Sequence, residues 1–366
     1  MKLITQREQL LKPLQHVIGV VERRQTLPIL SNVLMTAKDR ELTFTATDLE
    51  IELSARIELA IDELSEVTVP GRKLLDILRA LPEGTTLSFS VEGDKALIRC
   101  GRSRFSLTTL PTADFPTLED LPVEAHIQIP QRILKKLIER THFAMAQQDV
   151  RYYLNGLLFE VGNDKLRAVA TDGHRLAYCE VQTELEVPYS RQMIVPRKGI
   201  QELLRLLDKD DAAAILQISI NHIRVLLDDI RFTSKLIDGK FPDYQRVIPR
   251  ESERMVSADR SVLRNALNRT AILSNEKYRG IRLQLEDHLL RIQAHNPEQE
   301  EAEEEVEVVY TGEPLETGFN VTYLLDACGA LSGELVNFFF TDSNNSCLIQ
   351  EAESQACKYV VMPMRL

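Results

Sequence analysis

Asp172 and His174 stand two residues apart in the run VATDGHRLA (169–177), and Arg175 follows directly. A carboxylate and an imidazole this close could act as general acid and base, and the arginine could hold an anion. The same residues also support a reading without turnover. An Asp before a Gly builds a turn by accepting hydrogen bonds from nearby backbone, and the neighbouring His and Arg are then free to touch a partner. Acid–base hydrolysis needs a positioned nucleophile or substrate group as well. The chain has no Gly-rich phosphate loop, nucleophile elbow or HExxH, and its seven histidines are scattered. No catalytic residue, metal or other cofactor is assigned. A hydrolase using Asp172 and His174 is the alternative.

The elements around this run repeat along the chain. TATDLEIEL starts at Thr45 and VATDGHRLA at Val169, so Asp48 and Asp172 are 124 positions apart, and the same step reaches Asn296 in IQAHNPEQE. Each landmark follows an alternating segment (ELTFTATD, KLRAVATD, LLRIQAHN), the pattern of a half-buried strand. Helical spacing recurs downstream in VPGRKLLDILRALPEG, VPRKGIQELLRLLDKD and FNVTYLLDACGALSGE, and upstream in QREQLLKPLQHVIGVV, PQRILKKLIERTHFAMA and DRSVLRNALNRTAILS. A period this long marks repeated domains, not a solenoid. The pattern predicts an α+β fold of three domains, 1–122, 123–247 and 248–366, each with two helices packed on antiparallel sheets.

Of 366 residues, 44% are hydrophobic and 27% charged, enough for a real core in each domain. Five cysteines without a CxxC pair read as reduced thiols in a cytosol. The charged start is unlike a signal peptide and no apolar run could span a bilayer, so the expected location is cytoplasmic, with no membrane partner. The net charge of −11 argues against a uniformly basic nucleic-acid coat. Its distribution matters more. The predicted helices carry Arg72, Lys73 and Arg79; Arg132, Lys135, Lys136 and Arg140; Arg197, Lys198 and Arg205; and Arg264 and Arg269. A repeated basic face suits a duplex backbone without base specificity. The acidic counterpart is PEQEEAEEEVEV (297–308), with Glu298, Glu301 and Glu304, and the first domain offers Lys73, Arg102 and Arg104. Complementary patches in the first and last domains suit a head-to-tail contact, which closes into a ring where the rotation permits.

At this point LLKPLQ, LPIL, TDLE, GRSRFSL, DFP, QDVRYYLNG, ATDGHRLA, FTSKLIDGKFPDY, ILSNEKYRG, NPEQEEAEE and YVVMPMRL together carry a family resemblance. The chain resembles the bacterial DNA polymerase III beta subunits, the replicative sliding clamps, over essentially its whole length. The resemblance implies a processivity factor and not an enzyme: a homodimeric ring, sheets outside and helices lining a hole, that encircles duplex DNA. Helix spacing agrees with two copies, since six helices about 8–10 Å apart enclose a circle of roughly 17 Å and twelve enclose about 35 Å.

The same resemblance implies roles for named residues. A peptide-binding groove between the second and third domains would comprise Leu154, Thr171, Gly173, His174, Arg175, Leu176, Pro242, Arg246, Val247, Tyr278, Asn320, Tyr323 and Ser346. The tail Val360, Val361, Met362, Pro363, Met364, Arg365 and Leu366 would complete it. Asn344 stands beside that rim where a small or apolar residue is expected. DNA contact would fall to Arg24, Arg72, Gln148, Tyr152 and Tyr153. The dimer interface would take Lys73, Arg102, Arg104, Phe105, Ile272, Leu273, Glu298, Glu301 and Glu304. Implied partners are the replicative DNA polymerase catalytic subunit, a clamp loader, translesion and repair polymerases, and mismatch-repair and ligation proteins bearing short peptide motifs.

Overall fold

The computed structural model describes residues 1–366 except 22–26, 60–63, 119–121, 186–189, 253 and 366. One order of elements occurs three times. The first pass is β1 (Lys2–Gln6), α1 (Arg7–Val17), β2 (Asn32–Lys38), β3 (Glu41–Thr47), β4 (Ile51–Glu58), β5 (Ser65–Pro70), α2 (Gly71–Ala80), β6 (Thr86–Glu92), β7 (Lys95–Cys100) and β8 (Ser103–Thr108). The second is β9 (Ala125–Pro130), α3 (Gln131–Glu139), β10 (Gly156–Val161), β11 (Lys165–Thr171), β12 (Arg175–Gln182), β13 (Arg191–Pro196), α4 (Arg197–Leu206), β14 (Ala213–Ile218), β15 (His222–Leu227) and β16 (Ile230–Lys235). The third is β17 (Met255–Asp259), α5 (Arg260–Ala271), β18 (Gly280–Glu286), β19 (Leu289–His295), β20 (Glu301–Glu307), β21 (Leu315–Asn320), α6 (Val321–Ala330), β22 (Leu335–Phe339), β23 (Cys347–Glu351) and β24 (Ser354–Val361).

Residue patterning accounts for these elements. In α3, Leu134, Leu137 and Ile138 fall on one face and are buried, as are Ile200, Leu203 and Leu206 of α4. Asp259 caps α5 by accepting from the amides of Ser261 and Val262 at 2.8 and 2.9 Å, and Asn320 caps α6 from Thr322 at 2.9 Å. β18 and β19 alternate buried and more exposed residues, as half-buried strands do.

By contact the chain forms two compact units, 1–134 with 201–236, and 135–200 with 237–366. The cut passes through the second repeat because strands join across repeats. In the first unit the eight-stranded sheet runs β5-β2-β3-β4-β16-β15-β14-β9, and a second sheet runs β1-β6-β7-β8. In the other, the sheets run β13-β10-β11-β12-β24-β23-β22-β17 and β20-β19-β18-β21. All strand pairs are antiparallel. The joints are β4 with β16, from Ile230↔Ala55 to Ser234↔Ile51, and β12 with β24, from Arg175↔Val361 to Cys179↔Cys357.

The second joint brings two of the five cysteines together. Cys179 and Cys357 lie opposite one another across β12 and β24 with Cα atoms 4.1 Å apart, while Cys100, Cys328 and Cys347 lie apart and are buried. The pairing is invisible as a sequence spacing, because 178 residues separate partners that strand register brings face to face. Among the described residues no helix is long and apolar enough to cross a membrane, and no group of three or more His, Cys, Asp or Glu could hold a metal.

Candidate functional site

The run 171–175 is a tight turn between β11 and β12. Asp172 Oδ1 accepts the amides of His174 at 2.9 Å and Arg175 at 3.0 Å. Thr171 Oγ1 donates to the Arg175 carbonyl at 2.6 Å and accepts from the Gly173 amide at 3.1 Å. Gly173 has φ +89°, and a Cβ there would come within 3.0 Å of Arg151 Nη2. The first repeat builds the same turn. Asp48 Oδ1 accepts the amides of Glu50 and Ile51 at 3.0 and 2.7 Å, and Thr47 Oγ1 donates to the Ile51 carbonyl at 2.8 Å. There Leu49 takes the left-handed place at φ +78°. In the third repeat Asn296 holds a longer turn by accepting from the Glu300 amide at 2.9 Å. The recurring Asp is thus a turn former, as its backbone bonding dictates.

Asp172 is also not poised as a base. Its Oδ2 takes Arg175 Nε at 3.1 Å. Arg175 also donates inward, Nη1 to Asp326 Oδ2 at 2.5 Å and Nη2 to the Phe143 carbonyl at 2.7 Å. Its guanidinium lies 4.4 Å from the Tyr323 ring centroid and 5.6 Å from that of Phe143. Burial raises the Tyr323 phenol, helped by the Asp172 carboxylate. Arg175 therefore pins the turn to α6 and leaves His174 as the exposed side chain of the run. Asp326 and Phe143, absent from the sequence reading, complete this clasp. Asp326 lies one helical turn from Tyr323, a spacing that could have revealed it.

The turn leads into an apolar floor. Leu176 pairs with Val360, and the two belong to one cluster with Leu158, Val169, Ile194, Phe241, Tyr244, Phe339 and Leu348. The chain leaving β24 closes one side, where the Met362 amide donates to the His174 carbonyl at 2.9 Å and the Met364 amide to the Gly318 carbonyl at 2.9 Å. Segment 242–247 adjoins the same cluster, which takes in Phe241 and Tyr244. It is anchored by Tyr244, whose hydroxyl donates to Glu160 and whose ring lies 5.9 Å from Tyr178. Burial, aided by the Glu160 bond, pushes the Tyr244 phenol up to about 12. Above this floor Pro242, Arg246, Val247 and Met362 are exposed, giving adaptable apolar surface beside a cation.

Comparison with known proteins matches three consecutive segments: the DNA polymerase III beta subunit N-terminal domain over 1–119, its central domain over 128–243 and its C-terminal domain over 245–365. The chain belongs to the DNA polymerase III beta subunit family. It is 57% identical over 362 residues to the beta sliding clamp of Pseudomonas aeruginosa, covering 99% of each chain. The crystal structure of the DNA polymerase III subunit beta from that organism superposes with a TM-score of 0.97 at 56% identity, covering 100% of both chains. A second P. aeruginosa clamp structure, bound to griselimycin, gives 0.96 at 56% identity over 100% of both chains. The protein is a sliding clamp, a non-catalytic processivity subunit.

The remaining residues singled out in this clamp fall as follows. Leu154 and Val361 are buried, while Tyr278 is exposed and its carbonyl accepts Asn320 Nδ2 at 3.2 Å. Tyr278, Met364 and Arg365 line a cavity of about 430 Å3 with Asn275, Gly280, His295, Asn296 and Pro297. Ser346 and Pro363 are half-buried. Asn344 is exposed in a turn where Asp342 Oδ1 accepts its amide at 2.8 Å, so a polar residue fits there. Leu366 and Arg24 lie outside the described residues.

Tyr152 is 59% exposed, whereas Tyr153 packs against the apolar cluster, so the two tyrosines have different environments. Gln148 sits at φ +57° in the exposed loop before them. Arg72 is turned back, with Nη2 donating to the Val21 carbonyl at 2.6 Å. Several helix cations are likewise committed within the chain. Arg205 donates to the carbonyls of Gln15 and His16, Arg197 to that of Met145, and Arg140 to Ser332. Lys73, Arg79, Lys136 and Arg264 are exposed. Arg104 on β8 and Glu301 on β20 are exposed, as are Arg102 and Glu298 in the turns before those strands; Phe105 is half-buried, and just after α5 Leu273 is half-buried and Ile272 75% exposed. Glu304 already holds Arg269, at 2.6 and 2.8 Å, and this partner was missed from sequence.

Proposed function

We propose that two copies of the chain close head to tail into a ring around duplex DNA. The carrying observation is the repeated strand joint. β16 of the second repeat pairs with β4 of the first, and β24 of the third pairs with β12 of the second. Continuing the rule leaves β20 of the third repeat and β8 of the first, each the outer strand of a four-stranded sheet. β20 presents Glu301, Glu303, Glu305 and Glu307, and β8 presents Arg104 beside Arg102. Unpaired strand edges are templates for another strand, and these two carry opposite charge. Phe105, Ile272 and Leu273 supply apolar contact, with Lys73, Glu298 and Glu304 at the rim.

The exposed helix cations, with Gln148, Tyr152 and Arg24, suit weak backbone contacts that permit sliding. The cluster at Leu176 and Val360 suits an apolar anchor from a short peptide; one P. aeruginosa clamp structure is bound to griselimycin, and this chain should bind it at that cluster. Through this groove the clamp would hold the replicative polymerase, the clamp loader, translesion and repair polymerases, and mismatch-repair and ligation proteins in the cytoplasm. The three repeats would be the domains 1–122, 123–247 and 248–366. The test is topological. Loaded clamp should stay on nicked circles and run off linear duplex, and equilibrium binding to linear duplex should be weak and fall steeply with salt. Tight, salt-resistant binding to linear duplex would overturn the ring reading.

A further inference from the structure

We propose that Cys179 and Cys357 are a modification site: a buried thiol pair that small oxidants convert reversibly into a disulfide clasping the second repeat to the third. The two residues face each other at the last rung between β12 and β24, with Cα atoms 4.1 Å apart. Opposed residues at the close rungs of an antiparallel ladder lie near this spacing. Side chains there already point the same way, so the two sulfurs are neighbours and a bond asks only a slight parting of the strands at this rung. The pair is buried, at 0% and 2% exposure.

A cation is fixed at the site. Arg140 Nη1 lies 3.4 Å from Cys357 Sγ, and the guanidinium is held by Ser332 Oγ at 2.8 Å and by Glu351 at 3.5 Å. A cation beside a thiol favours the thiolate, the reactive form. Cys328 and Cys347 are buried too, and burial pushes Cys328 up to about 12 and Cys347 well above the usual thiol range; neither has a second cysteine opposite it in a strand ladder. The chemistry balances with a hydroperoxide as oxidant. One thiolate attacks the peroxide oxygen to give a sulfenic acid and release an alcohol or water. The second sulfur displaces the sulfenic oxygen as water and forms the S–S bond. Two thiols lose two electrons and two protons, and a dithiol reductant reverses the exchange. Burial selects small oxidants over bulky disulfide reagents.

The clasp locks the strand joint that places Leu176 opposite Val360, and so fixes the register of the apolar floor. It rests on that register alone and stands whether or not the floor receives peptides. The experiment reduces the full chain with a dithiol, removes the reductant, adds hydrogen peroxide under native conditions and maps proteolytic peptides by mass. The expected product joins the Cys179 and Cys357 peptides, is lost in both C179A and C357A, and reverts with dithiothreitol. It should form several-fold faster with peroxide than with a bulky aromatic disulfide, and more slowly in R140Q. The oxidised chain should melt several degrees above the reduced chain, a gain absent in C357A. If one alanine variant fails to fold, the other together with the wild-type peptide map decides. Five alkylatable thiols after native oxidation, or a sulfinic acid at either cysteine without the cross-link, would sink the proposal.

Discussion

Leu176 faces Val360 in the ladder from β12 to β24, and Glu52 faces Thr233 at the matching rung from β4 to β16. The two joints share a turn and a register but not a polarity. The Glu52 side chain is only 4% exposed and its carboxylate takes the Leu118 amide at 3.0 Å and Arg231 at 3.3 Å. An apolar anchor entering the first joint would leave those polar groups less well solvated. At the second joint an anchor would meet two aliphatic side chains. One strand architecture thus yields one apolar floor.

Val247 and Met362, 45% and 46% exposed, border that floor and carry no core load. Replacing either by Ala should weaken a polymerase C-terminal peptide by about 1–2 kcal/mol, roughly 5- to 30-fold in Kd. Removing 362–366 should abolish binding and leave the oligomeric state unchanged. Calorimetric titration checks both, and equal affinity in wild type and truncation would refute the groove.

The shared turn predicts opposite effects of two substitutions. Leu49 holds φ +78° with a side chain, so Leu49→Gly should stabilise the chain by about 0.5–1 kcal/mol. Gly173→Leu should destabilise it, because its Cβ would meet the Arg151 guanidinium. Urea unfolding of both variants measures the contrast. A destabilised Leu49→Gly would show that the leucine side chain outweighs its backbone strain.

The ring reading predicts that Ile272→Ala with Leu273→Ala gives monomers by light scattering at low concentration. Arg104→Ala alone should cost about 0–1 kcal/mol, since exposed ion pairs add little. A double variant that stays dimeric would move the interface elsewhere.

Acid should weaken the fold through His142. Burial, and then the Arg197 charge, hold its pKa below the ordinary 6.5. The unfolded chain therefore binds the proton more readily than the folded chain. Stability from neutral His142 is complete above 6.5 and is lost as pH falls through the depressed folded value. The melting temperature should drop between neutral and mildly acidic pH, and His142→Gln should flatten part of that fall. An unchanged slope in the variant would assign the acid sensitivity to other groups, His16 among them.

The sequence by itself carried the architecture. Strand alternation and helical spacing recur at one period, and both depend on residues close together in the chain, so three copies of one element order were readable. The turn role of Asp48 and Asp172 was readable too, because an Asp side chain bonds backbone two and three residues ahead. What the fold decided are the meetings of distant residues. Arg175 reads as a groove cation, yet Asp326, Phe143 and Tyr323 surround it only because α6 packs against the 171–175 turn. Glu304 reads as a partner for a second copy, yet α5 brings Arg269 to it. Cys179 and Cys357 carry no motif and meet through β12–β24 register. A local pattern states what one segment buries. Which side chain stands opposite is set by pairing between segments far apart in the chain, and that is decided only when the sheets form.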